Sequence, residues 1–289
     1  MLLAPVRIKS TWSYIDTQGN VVLSSPQWQD VNVFSEGLAG VKILDKWGFI
    51  DTAGNLAILP KWEGVCAFHN GLCIVSVEHF PLGNTEPYTK YKYIDKKGFH
   101  PFLGEFWSAT PFSDDGIACV EGPLSCIPRY INRSGLPCLP KIHPILPGED
   151  LFAYRDKKTG KYGYRNLLMQ TVIPPQYGYA YDFSHGLGRV MLNGKYGCID
   201  SSGQIIAPFE YDYIQEFTNG MAIVTLNDKY GHIDTAGQLK VPCIYDYAKN
   251  FFNGLAAVIM NEKCGYVDTE GNLQIPCIYD NTLYFTETD

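Results

Sequence analysis

The chain has 289 residues, 46% of them hydrophobic and 18% charged, and a formal net charge of −7. That balance disfavours a nucleic-acid backbone or an anionic membrane as the main partner, and no uninterrupted apolar run is long enough to cross a bilayer as a helix. The opening stretch Met1-Leu-Leu-Ala-Pro-Val-Arg7 has no charged leader followed by an apolar run, so a cytoplasmic location is expected.

Aligned on a Gly-Leu-Ala-x-Val type of start, the chain divides into eight units near 2–36, 37–70, 71–115, 116–150, 151–185, 186–219, 220–253 and 254–289. The period is 34 to 35 residues except in the third unit. Self-similarity of this kind decides the architecture before any single residue does. Each unit opens with an alternating segment such as Met221-Ala-Ile-Val-Thr-Leu226, which predicts a half-buried strand. A tight polar turn follows, for example Asn193-Gly194, a pair suited to the positive φ angles of a two-residue hairpin. The second strand reads Lys-aromatic-Gly-x-Ile-Asp, and its Asp opens an Asp-x-x-Gly turn. A third strand such as Gln204-Ile-Ile-Ala207 is expected to end at the following proline, because proline cannot donate to a ladder. No segment keeps a helical spacing, so an all-β chain of antiparallel meanders is predicted.

The glycine inside the second strand recurs as Gly48, Gly163, Gly197, Gly231 and Gly265, always between larger residues. Glycine weakens a strand interior, so close approach of a neighbouring backbone or ring is expected there. The flanking aromatics Trp47, Phe49, Tyr162, Tyr164 and Tyr230 predict a ladder that stacks from unit to unit. Trp28 and Trp62 stand where later units have tyrosine and read as core replacements.

Lys46-Trp-Gly-Phe-Ile-Asp51, with Gly-Leu-Ala before it and segments such as Pro242-Cys-Ile-Tyr245-Asp246 at the matching place in sibling units, resembles the bacterial WG (or KWG) repeat family. Only the second unit keeps the Trp-Gly pair itself. The resemblance implies an array of β-repeats and a role in binding partners, and it brings no shared catalytic residues. An open, curved or superhelical solenoid-like array is expected, because units of this length are short for propeller blades and no strand is held over from one terminus to the other. A closed eight-bladed propeller is the alternative.

Two regions break the pattern. The third unit carries extra residues across Glu78 to Lys90, where the hairpin turn should be, and such insertions map to loops on one face. The fourth unit concentrates six of the chain's 18 prolines between Pro123 and Pro147, which marks a possible break between half-arrays near 137–150. The fifth unit lacks the turn glycine and has Arg165-Asn-Leu-Leu-Met169 instead of Asp-x-x-Gly.

The sequence has no nucleophile elbow, no phosphate-binding glycine loop and no His-x-x-x-His pair. The repeated Asp16, Asp51, Asp95, Asp200, Asp234 and Asp268 offer one carboxylate per turn, too few for calcium. Nine cysteines without a Cys-x-x-Cys pair read as reduced core thiols, Cys243 and Cys277 among them. No enzyme, cofactor or metal is therefore expected. The expected function is a protein-binding repeat scaffold, in its sharper form an immunity or antitoxin-type protein that neutralises a partner toxin. Its contact residues are expected where the repeat is broken: Phe80, Tyr88 and Trp107 near the insertion, and Ile142 and Leu146 in the proline-rich run. The alternative is a glycan- or small-ligand-binding array that uses exposed tyrosines such as Tyr181 in Tyr177-Gly-Tyr-Ala-Tyr181.

Overall fold

A computed structural model describes residues 1–79, 88–122, 125–139 and 151–288. The described residues form eight small antiparallel sheets in tandem, with no helix and no sheet closed into a barrel. Two compact units divide the chain, Met1–Ile142 with Asp280–Asp289, and His143–Tyr279. The seventh sheet shows the plan: a two-residue strand Tyr213–Ile214, then Met221–Leu226, Lys229–Asp234 and Leu239–Tyr245, paired in that order.

Local chemistry explains each corner. The hairpin residues Asn227 and Asp228 have φ of 51° and 61°, and Asn193 and Gly194 have 51° and 82°. These are the paired left-handed conformations that match strand twist. At the next corner Asp234 accepts hydrogen bonds at Oδ1 from the amides of Ala236 (3.0 Å) and Gln238 (2.9 Å). Asp16, Asp51, Asp95, Asp200 and Asp268 do the same in their own turns. The repeated aspartates are turn formers.

The strand-two glycine is required by contact. A Cβ on Gly231 would lie 2.4 Å from the carbonyl oxygen of Val241, and one on Gly48, Gly163 or Gly265 would lie 2.5 Å from the equivalent carbonyl. The cause is a bulge: Tyr230 pairs with Tyr245 and His232 with Val241, so between these pairs one residue, Gly231, faces three on the other strand. The extra residues include Pro242. The third strand therefore does not end at its proline, as expected, but runs through it to Tyr245, because a bulged position needs no ladder donor.

The sheets are offset from the sequence repeat. Each four-stranded sheet takes its short first strand from the end of the preceding repeat, as Tyr213–Ile214 and Tyr247–Ala248 show. The first sheet has no predecessor, and the last repeat supplies it: Val6 pairs with Thr282 and Arg7 with Asn281. Leu2 and Leu3 pair with Glu287 and Thr286. The expectation that no strand passes from one terminus to the other is corrected, since the borrowed strand is a rule of the repeat that also holds here. Asp280 Oδ2 accepts the Lys9 amide (2.5 Å), as Asp212 accepts Asn227 (2.7 Å) and Asp246 accepts Asn261 (2.7 Å).

Packing follows the same offset. One core cluster combines Cys198 and Ala207 of the sixth sheet with Ala222, Val224 and Ile233 of the seventh, and another combines Val241 and Tyr245 with Ala256, Val258 and Val267. In several links the residue after the strand-two glycine position, which Ser13 and Lys92 occupy in the first and third repeats, meets the closing phenylalanine. Ring centroids are 4.9 Å apart for Phe49–Phe68 and 4.7 Å for Tyr164–Phe183 and His232–Phe251. Where that residue is tyrosine its hydroxyl donates to a backbone carbonyl, Tyr14 to Asn32 (2.6 Å), Tyr93 to Thr110 (2.7 Å) and Tyr164 to Tyr181 (2.7 Å). Trp28 and Trp62 are buried, as core replacements should be. Among the described cysteines eight form no disulfide; Cys73, Cys198 and Cys264 are buried, but Cys243 and Cys277 are only half-buried and Cys66 is exposed.

His232 occupies the tyrosine position, with Nε2 2.9 Å from the Lys249 carbonyl and Nδ1 buried without a partner. Burial lowers its pKa from 6.5 to about 4, against the opposing effect of the Lys249 bond. The folded state thus holds the neutral ring while the unfolded chain takes a proton near pH 6.5. This contribution is complete above pH 6.5 and is lost as pH falls toward 4, by about 3 kcal/mol at most. Urea melts should show this loss between those limits, and His232→Tyr, which restores the sibling hydroxyl, should flatten it. Phe285 is wholly buried in the terminal link. Phe285→Ala should cost about 3–5 kcal/mol in the same melts.

Candidate functional site

The insertion in the third repeat is smaller than the sequence suggests. The strands Leu72–His79 and Tyr88–Asp95 are eight residues each and pair to the end, with His79 opposite Tyr88. Glu78, His79 and Tyr88 to Lys90 belong to the hairpin and not to a loop, because their backbones complete the ladder. Phe80 lies outside the described residues, as do Ile142 and Leu146 of the proline-rich run.

Alternation along the extended strand places Tyr88, Lys90 and Lys92 on one face. Tyr91 exchanges two backbone hydrogen bonds with Phe106 (2.8 and 3.0 Å), which sets Lys90 across from Trp107 and Lys92 across from Glu105. Six side chains meet there. His79 stacks on Tyr88 with centroids 5.6 Å apart and planes 9° from parallel. Tyr88 lies against Trp107 at 5.2 Å, and Lys90 Nζ is 5.5 Å from the centroid of each of those two rings. Of the five expected contact residues, Tyr88 and Trp107 are described, and they touch.

Glu105 ties the cluster together. Its carboxylate accepts Lys92 at 2.7 Å and Lys90 at 3.0 Å, and His79 Nε2 lies 3.5 Å away. The bond to Lys92, then that to Lys90, holds its pKa down to about 2. Two ammonium groups against one carboxylate leave the cluster positive on an acidic protein. Trp107 remains 43% exposed, so a large ring stands in solvent beside a partly desolvated lysine. His79, Lys90, Lys92 and Glu105 were not expected as site residues. Their signal was the alternation Tyr88-x-Lys-x-Lys92 facing Glu105-x-Trp107.

The tyrosine ladder in the other unit is continuous from Tyr162 through Tyr179, Tyr181 and Tyr196 to Tyr213, with centroids 5.0 to 6.4 Å apart. Arg189 covers Tyr181 at 4.2 Å, and the Tyr181 hydroxyl lies 3.3 Å from that of Tyr213, which raises the Tyr181 pKa. These rings mostly pack on one another. Among the described residues no three His, Cys, Asp or Glu side chains gather as metal ligands.

The WG-containing repeat model matches residues 12–47, 47–78, 162–196, 196–230, 230–264 and 265–287. The chain belongs to the WG-repeat family. The unmatched stretch 79–161 begins at His79 and contains the whole of Tyr88, Lys90, Lys92, Glu105 and Trp107, so this WG-repeat protein departs from its family where the cluster lies. No protein of curated function matches the sequence. Among solved structures the chain is similar to a eukaryotic initiation factor at 8% identity, over 99% of this chain and 95% of the other, with a TM-score of 0.49. A Bacteroides caccae protein is similar at 11% identity over 98% and 97%, with a TM-score of 0.35. Kluyveromyces lactis Hsv2 is similar at 11% over 78% and 74%, with a TM-score of 0.30. Nothing about the task of this WG-repeat protein follows from likenesses that distant.

The cluster's ion pairs are part-exposed, so they contribute little to folding. Glu105→Gln should change urea-melt stability by less than about 1 kcal/mol. A loss of several kcal/mol would make the cluster a structural element instead.

Proposed function

We propose that this WG-repeat protein is a non-enzymatic scaffold that binds another protein through the face carrying Tyr88, Lys90 and Trp107. The observation that supports it most is Trp107, exposed beside Tyr88 and a cation at the base of the repeat's insertion. Tyrosine, tryptophan and basic anchors of this kind dominate interface energetics. The repeated Asp, Gly and aromatic positions all have folding tasks, which leaves this divergent face to carry individuality. The surplus positive charge favours a partner that presents carboxylates or aromatic edges.

In its narrower form the partner is a toxin and the protein its neutraliser, located in the cytoplasm. The irregular third and fourth repeats support this, since a neutraliser needs a surface its siblings lack, and the positive face would meet an acidic patch on the toxin. Co-expression tests the narrower form, since growth should be rescued from a toxin encoded beside this gene. Absence of rescue would leave the scaffold reading intact and remove the toxin.

The broader reading is tested with tagged protein from its own cells, comparing wild type with Tyr88→Ala/Trp107→Ala. A partner held by wild type should be lost from the double variant, and its purified complex should weaken at least about tenfold. Equal retention by both forms would refute this face as the binding site.

A further inference from the structure

The eight repeats give eight turns of one geometry, and one of them differs in chemistry. In seven the tip is polar or small and ends in glycine, as in Thr52-Ala-Gly54, Ser201-Ser-Gly203 and Thr235-Ala-Gly237. The fifth has Leu167-Leu168-Met169. Its backbone is nonetheless held as the others are: Asn166 Oδ1 accepts the amides of Leu168 and Gln170, both at 3.0 Å. Met169 takes the glycine's place at φ 60°, a conformation costly for a residue with a Cβ.

Among the described residues nothing covers this tip. Leu167, Leu168 and Met169 are 59%, 76% and 75% exposed, and Val172 beside them is also exposed. Apolar side chains grouped in solvent on a rigid support mark an interaction site, and strain kept at such a place points the same way. At the base of the tip Arg165 stacks on Tyr154 at 3.8 Å, with a buried Nε that has no hydrogen-bond partner. Arg165 makes no ion pair among the described residues. Residues 151–172 carry five basic side chains and one acidic, in the half of the chain that is otherwise the more acidic.

We infer that the Leu167-Leu168-Met169 tip is a docking knob for a protein partner that offers an apolar pocket edged by a carboxylate for Arg165. A flexible methionine beside two leucines fills such a pocket adaptably. A flat anionic membrane fits less well. The following turns of the same unit present Asp200, Asp234 and Asp268, whose carboxylates would face a plane of like charge. Self-pairing through the same tip would oppose two basic repeats. The knob lies in a different compact unit from Tyr88 and Trp107, so it stands independently of the site proposed above.

The test places the photo-crosslinker benzoylphenylalanine at position 168, and at Ser202 as the sibling control, in the full-length protein within its own cells. A discrete protein adduct from 168, absent from 202 and abolished by Arg165→Glu, is expected. The crosslinked protein, once purified, should bind at least about tenfold more weakly to Leu167→Ser/Leu168→Ser. Both leucines are solvent-facing, so the variant should melt within about 2 °C of wild type. No adduct at 168, equal adducts from 202, or a crosslinked homodimer would overturn the inference. Vesicles of phosphatidylglycerol and phosphatidylcholine that bind wild type but not the leucine variant would overturn it in favour of a lipid surface. Binding lost only on Tyr88→Ala/Trp107→Ala, and kept by the leucine variant, would overturn the knob and leave the first site standing.

Discussion

The structure depends on one recurring link, between the second-strand residue that follows the glycine position, which Ser13 and Lys92 occupy in the first and third repeats, and a segment seventeen or eighteen residues later. Tyr14, Tyr93 and Tyr164 each donate to a carbonyl there, and each ring packs on the phenylalanine that follows. That segment is where the next sheet begins. A buried hydroxyl without a partner would be costly, so the bond fixes how one sheet meets the next as well as stabilising it. The neighbouring glycine lets the bulged third strand approach, and the aspartate turn closes the unit.

Most of this was legible in the amino-acid order. The hairpin pair Asn193-Gly194, the aspartate turns and the strand-two glycine each carry a conformational demand that few residues meet. Of the tyrosine ladder only Tyr162 was foreseen from the aromatics beside that glycine; Tyr179, Tyr181 and Tyr213 join it from outside the second strand, and Phe49 and Tyr164 pack on the closing phenylalanines instead. The offset between repeat and sheet was not legible, because periodicity gives the length of a repeat and not its phase. Pro242 misled for a related reason: it forbids a ladder bond, but a bulge leaves a place where none is needed.

The candidate site was half visible. Tyr88 and Trp107 drew notice as large rings near a break in the pattern, while Lys90, Lys92, His79 and Glu105 look in sequence like ordinary surface charge. Their convergence depends on the pairing of Tyr91 with Phe106, fifteen positions further along the chain, which no local motif encodes. The exposed fifth turn shows the opposite case. Its missing glycine is plain in the sequence, yet only the retained Asn166 hydrogen bonds show that the turn survived and that its apolar tip is presented rather than folded away.

The borrowed first strand has a consequence for synthesis. Seven of the sheets draw on chain that is made just before or within them, and each can assemble as it leaves the ribosome. The first sheet cannot. Until Asn281 and Thr282 emerge, the edge at Val6 and Arg7 has unmet backbone groups, although that sheet was made first. The first repeat therefore waits through the synthesis of the seven that follow it with an open edge, which exposes it to mispairing for that time.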